Sequence, residues 1–299
     1  MLDGYGGYQQ LLNKLHFDNA PFEEALKARG FYIADSSISN YSATGNSMSS
    51  LLNMDHVGKS KIEDYHELLN ENTFTRFLKQ HGYSIRNFSF FKMDGQYPLQ
   101  EMEYFPLGTK LITRHTLLGR LERDLGHHLF SKGRSTSRES GEKAGHAVDR
   151  DAITMSQLLK ATKRKSTEGP RFVYSHFIMP HPPYLYAPDG TKPPVGSSDR
   201  DKYIGYVQYS NKKILDAIDS VLKNEVRPPV IILMSDHGYR NDNNPVLTAD
   251  RFLNLQSIYL PRQQPNPYYK GVSNVNSLRL FLNHTFRQKL PLLLDSTVF

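Results

Sequence analysis

The chain has 299 residues, 38% hydrophobic and 22% charged, which suits one large α/β domain or two small ones. It has no cysteine, which excludes disulfides, thiolate metal sites and cysteine nucleophiles, and no apolar run long enough to span a membrane. The net charge is +7, and Leu107 to Lys165 carries all of the excess, with 13 Lys or Arg against 6 Asp or Glu.

In chain order, Met1-Leu2-Asp3-Gly4 reads either as a solvated tail or as the last residues of a first strand, cut short, that runs into an Asp-Gly turn. Asn19 to Glu24 reads as a helix start, with a polar cap, an early proline and acids in the first turn, and Gly30 as its end. Phe31 to Ala34 reads as a short strand, Ser36 to Tyr41 as a polar loop and Gly45 to Leu52 as a helix. Lys61 to His81 reads as one further helix and Tyr83 to Phe90 as a strand. Thr116 to Leu129 and Ala152 to Thr162 look helical, with a Ser- and Gly-rich flexible loop from Ser131 to Gly145 between them.

Phe172 to Met179 is an apolar strand that ends in Pro180-His181-Pro182-Pro183, and Lys202 to Lys223 is a helix. Pro229 to Met234 is apolar at every position, as expected of a strand buried on both faces of a largely parallel sheet. Ser257 to Leu260 is a short strand and Asn274 to Phe286 a closing helix. The alternation predicts an α/β fold with a central, mostly parallel mixed sheet and helices on both faces. Residues 1–299 read as a single domain, with a basic helical and loop insertion around 107–168. That insertion is either a solvated surface or an attraction to something anionic, such as phospholipid headgroups or a phosphorylated substrate. Nucleic acid ranks last, since no nucleic-acid motif or aromatic interleaving accompanies the charge.

In such sheets chemistry gathers beyond the carboxyl ends of the strands, and three polar groups sit there. Asp236 and His237, in Ser235-Asp236-His237-Gly238, offer an oxygen and a nitrogen ligand, and Gly238 allows the backbone a sharp turn beside them. His181 stands on a proline-stiffened loop suited to substrate contact or proton transfer. His176 lies inside the preceding strand, where a histidine is ordinarily a satisfied core group. It is retained as a candidate substrate-binding residue beside His181. Thr44 stands where a hydroxyl-rich loop enters a helix, and both an ordinary cap and an oxyanion or phosphate site fit that position.

The segments SNYSATGNSMSSLLNM, HFIMPHPPY and ILMSDHG, in that order, resemble the alkaline phosphatase/sulfatase superfamily. The nearest branch looks like the sulfatase-like domains of lipoteichoic acid synthases, phosphoethanolamine transferases and phosphoglycerol transferases. The likeness continues through RFLNLQSIYLP and VNSLRLFLNHTF. It implies Thr44 as nucleophile and metal ligand, Asp236 and His237 as metal ligands, and His181 as the residue at the substrate or leaving group. It also implies an acid at the end of the first strand, a position that Asp3 would fill.

The resemblance further implies one divalent metal ion, zinc or manganese, and a phospholipid or glycan substrate. It implies a location on the extracytoplasmic face of the cytoplasmic membrane. Sulfate esters fit poorly, because Ser42-Ala43-Thr44-Gly45-Asn46 lacks the Cys or Ser, Pro and Arg pattern from which sulfatases make formylglycine. Three functions stay open at this point: a phosphoryl-type transferase, a plain phosphatase or phosphodiesterase, and a non-catalytic module that keeps the fold without a working site.

Overall fold

Leu233 and Met234 are adjacent in sequence but pack into different hydrophobic cores, as successive residues of a strand covered on both faces must. The structure, a computed structural model, describes residues 1–58, 62–98, 140–163, 168–224, 227–240, 248–261 and 266–298. Among these, strands β1 (Leu2–Asp3), β2 (Tyr32–Ile33), β3 (Ser84–Phe88), β4 (Arg171–Ser175), β5 (Phe177–Pro180), β6 (Ile231–Met234) and β7 (Gln256–Tyr259) pair in three segments. β1 is parallel to β5 and β3 to β4, whereas β7 is antiparallel to both β2 and β6.

A parallel bridge between Leu2 and Ser235 joins β1 to β6. The His176 N–H donates to Phe88 O (3.1 Å) and the Phe177 N–H to Met1 O (3.0 Å), which carries the ladder across the β4–β5 junction. The resulting order is β3, β4 with β5, β1, β6, β7, β2: a mixed sheet with its parallel pairs on one side and its antiparallel pairs on the other.

Helices α1 (Tyr8–Leu15), α2 (Ala20–Ala28), α3 (Thr44–Asn53), α4 (Ile62–Asn70), α5 (Thr73–Gln80), α6 (Ser140–Ala161), α7 (Asp199–Asn224) and α8 (Asn274–Phe286) flank this sheet. One core joins Met48 and Leu52 of α3, Phe74 and Leu78 of α5 and Phe281 of α8 to Met234. The other joins Leu11 of α1, Leu26 of α2 and Tyr206 and Ile214 of α7 to Leu2, Phe177 and Leu233. Each fully buried aliphatic side chain contributes about 1.5–3 kcal/mol.

Several expectations need correction. Lys61 to His81 is two helices, because Asn72 interrupts the run: its Oδ1 accepts the Thr75 N–H (2.8 Å) and caps α5. The strand read over Phe172 to Met179 divides at His176 into β4 and β5. The loop read over Ser131 to Gly145 is helical from Ser140 onward. The Asn19 cap makes no capping bond; Asp18 Oδ1 accepts the Ala20 N–H instead (2.9 Å), and Asn19 turns inward to Tyr5 and Asn211. Tyr8–Leu15 is a helix for which the sequence carried no expectation. The helix read over Thr116 to Leu129 and most of the basic insertion lie outside the described residues.

Candidate active site

Three neighbouring strands deliver the site. β1 ends at Asp3, β6 runs into Asp236 and His237, and β5 runs into His181. Thr44 opens α3, with Ala43 before it making no side-chain cap, so the first-turn N–H groups are left for a ligand. Thr44 and His181 are half-buried, whereas Asp3, Asp236 and His237 are buried.

The backbone explains why these residues converge. Gly4 has φ +64°, the left-handed region that glycine enters at no steric cost. Its N–H donates to Asp236 Oδ1 (2.9 Å), and so does the His237 N–H (2.8 Å). A Cβ at Gly238 would stand 2.3 Å from Leu253 O and 2.8 Å from Arg251 O, so the chain can pass there only as glycine. Buried amides hold the loop from behind: Asn254 Nδ2 donates to Ser235 O (2.7 Å) and Asn274 Nδ2 to Asp236 O (3.1 Å). Gln10, on the unexpected helix α1, exchanges two bonds with the Tyr239 backbone.

His237 decides the chemistry. Burial lowers its pKa, aided by Arg240 and His181 and opposed by Asp236, so the ring is neutral. Its Nδ1 lies 2.7 Å from Gly238 O and must carry the proton, which leaves a lone pair on Nε2. That lone pair faces Asp236 Oδ2 at 3.3 Å, Thr44 Oγ1 at 3.4 Å and Asp3 Oδ1 at 3.6 Å. Burial pushes the Asp236 carboxyl up, but its pKa lies below the ordinary carboxylate value, with the Gly4 N–H and the Thr44 hydroxyl donating to it.

A lone pair turned on carboxylate oxygens is repulsive unless a cation lies between them. Atoms about 2.0–2.2 Å from a tetrahedral zinc stand about 3.3–3.6 Å apart, the spacing found around Nε2. One ligand atom from each of Asp3, Asp236 and His237 falls within 4.8 Å of the others. The four side chains therefore fit a divalent cation, and the same donors serve manganese.

His181 lies beside Gly4 and lines a pocket with Tyr203, His237, Tyr239 and Arg240. Its Nδ1 is 2.7 Å from Pro182 O, which leaves Nε2 as the ring nitrogen available to that pocket. His176 is not among the pocket's lining residues. It is buried, its Nδ1 is 2.9 Å from the Tyr174 hydroxyl, and its ring packs on Phe90 at 4.7 Å. Burial brings its pKa down to about 3, so it sits as a neutral ring in the wall behind the site.

Sequence reasoning passed over Arg240, a half-buried cation of the pocket whose Nη1 donates to Ser42 O (2.9 Å). It ties the strand-end loop to the loop that carries Thr44, and its place two residues beyond Gly238 was the available signal.

No curated protein matches the sequence directly. The fold is similar to the C-terminal periplasmic domain of EcEptC from Escherichia coli in complex with Zn, at TM-score 0.54 and 12% identity over 95% of this chain and 80% of that one. It is similar to the C-terminal periplasmic domain of phosphoethanolamine transferase EptC from Campylobacter jejuni, at TM-score 0.54 and 12% identity over 97% and 89%. It is also similar to a putative sulfatase from Bacteroides thetaiotaomicron, at TM-score 0.56 and 12% identity over 97% and 70%. The Sulfatase family model matches residues 9–271. With that match spanning most of its length, the chain belongs to the sulfatase family.

Proposed function

We propose that this chain is a single-metal phosphoryl-type transferase or hydrolase, acting on phosphate esters of lipid or glycan headgroups through a phospho-threonine at Thr44. The observation that carries the reading is the approach of Thr44 Oγ1, Asp3 and Asp236 to the unprotonated Nε2 of His237. Asp3, Thr44, Asp236 and His237 would hold the ion, which when bound supplies Lewis acidity and makes the threonine hydroxyl acidic enough to react.

The Thr44 hydroxyl gives its proton to solvent, and Oγ1 forms a bond to phosphorus as the bond to the leaving alcohol oxygen breaks in line. The first-turn N–H groups of α3 and the Arg240 guanidinium supply donors for the equatorial oxygens. His181 Nε2, when protonated, gives its proton to the leaving oxygen. Water or a second alcohol then gives its proton to the neutral His181 and bonds to phosphorus as the Thr44 Oγ1–phosphorus bond breaks, and Oγ1 takes a proton back from solvent.

Phosphate is favoured over sulfate because a threonine stands at the nucleophile position, without the proline and arginine of the formylglycine motif. The likeness to periplasmic EptC domains supports an extracytoplasmic location beside a membrane. No helix among the described residues is itself long and apolar enough to cross one.

The test uses zinc- or manganese-loaded protein with bis(p-nitrophenyl) phosphate and p-nitrophenyl sulfate, with and without ethanolamine as acceptor. Phosphodiester turnover, a Thr44 peptide carrying a p-nitrophenylphosphoryl group after acid quench, and loss of at least about 1,000-fold in Thr44→Ala are expected. Metal-dependent turnover that survives Thr44→Ala, or a preference for the sulfate ester, would overturn the reading.

A further inference from the structure

Beyond the site itself, β5 contains an irregularity whose cause lies on another element. Leu2 pairs with Phe177 and Asp3 with Pro180, so one step along β1 is matched by three along β5. Ile178 and Met179 are the extra residues, and such an insertion removes backbone N–H groups from the ladder. The chain then closes a turn, with the His181 N–H donating to Ile178 O (2.8 Å). This turn delivers His181 to the pocket beside Gly4.

The two displaced N–H groups have a single recipient. Asp151 of α6 accepts the Ile178 N–H on Oδ1 (2.7 Å) and the Met179 N–H on Oδ2 (3.0 Å). Two parallel N–H bonds into one carboxylate fix both position and orientation, and α6 packs on β4 and β5 around the contact. The two bonds of the Asp151 carboxylate to the Ile178 and Met179 N–H groups connect it to the turn that carries His181.

We infer that Asp151 is a positioning residue: its carboxylate clamps the bulge at Ile178 and Met179 and so sets where His181 stands against the substrate. The inference rests on the reading of His181 as the residue at the leaving group, because only then does the clamp bear on turnover. A displacement of about 1 Å at such a group costs about 100-fold in rate.

The test uses the full chain carrying the isosteric Asp151→Asn, which has one acceptor for two N–H groups, with Asp151→Glu, which keeps both acceptors. Hydrogen exchange in the segment 177–184 is expected to be about tenfold faster in Asp151→Asn and slow in Asp151→Glu, with zinc affinity unchanged in both. Turnover of bis(p-nitrophenyl) phosphate is expected to fall about 100-fold in Asp151→Asn, and the same substitution in a His181→Ala background to cost nothing more.

Costs that multiply in the double variant would overturn the inference, as would zinc affinity falling in step with turnover or unchanged exchange in 177–184. If the parent protein shows no turnover, the proposed function fails, and the exchange and zinc measurements alone decide the clamp.

Discussion

Removing metal with a chelator and then restoring zinc is expected to raise the melting temperature, and Asp236→Asn is expected to abolish that rise. The His237 Nε2 lone pair faces the Asp236, Asp3 and Thr44 oxygens at 3.3–3.6 Å. A cation bound there favours only the folded state, since Asp3 and Asp236 are 233 residues apart along the chain. At 100 times its Kd, zinc stabilises by about 2.7 kcal/mol.

Unfolding entropy near about 2.1 cal/mol/K per residue amounts to about 0.6 kcal/mol/K over 299 residues. The melting temperature should therefore rise by about 4 °C. Asparagine at position 236 keeps an Oδ1 for the Gly4 and His237 N–H groups. Its amide would also donate to Nε2, so the metal-free variant should melt no lower than the metal-free parent. Scanning calorimetry on chelated and zinc-titrated samples measures both effects. A parent unmoved by zinc and manganese, or a variant that gains as much as the parent, would refute the reasoning.

Gly238→Ala should lower stability by more than about 3 kcal/mol, because the new methyl meets the backbone oxygens of Leu253 and Arg251 rather than a movable side chain; chemical denaturation checks it. Glu23 is buried on α2, and burial raises its pKa to about 7 from the ordinary 4.5, against the nearby Lys27. Its contribution to stability is thus fully present below pH 4.5 and lost as pH rises through about 7. Glu23→Gln should therefore be more stable than the parent at pH 8, by roughly 1–2 kcal/mol after solvent screening, and gain nothing at pH 4. Equal differences in melting temperature at the two pH values would contradict this.

The parts of the fold that were readable share a physical basis: their pattern is local. The apolar run from Pro229 to Met234 declares a strand, though only Ile231–Met234 forms it and Val230 is exposed, and Asn274 to Phe286 declares a helix along its whole length. The helix break at Asn72 was less visible, because a capping asparagine inside a periodic run looks like a tolerated polar residue until its Oδ1 finds the Thr75 N–H. Helix α1 was missed because Tyr8–Leu15 follows two glycines and buries only Gln10, Leu11 and Leu15. Arg240 was passed over because a lone cation after a glycine turn is ordinary until Ser42 is seen to hold it.

By itself the sequence determined the kind of protein: strands and helices in alternation, no thiol chemistry, and a threonine, a proline-bound histidine and an Asp-His-Gly turn in family order. Local pattern and motif order depend on neighbouring residues, so they survive without coordinates. Only the tertiary structure decided that Asp3, Thr44, Asp236 and His237 share one point in space, that the free lone pair of His237 faces the other three, and that His176 lies in the wall rather than the pocket. Those outcomes depend on strand register and on which backbone carbonyl takes the imidazole proton. Both are settled by packing between residues far apart in the chain.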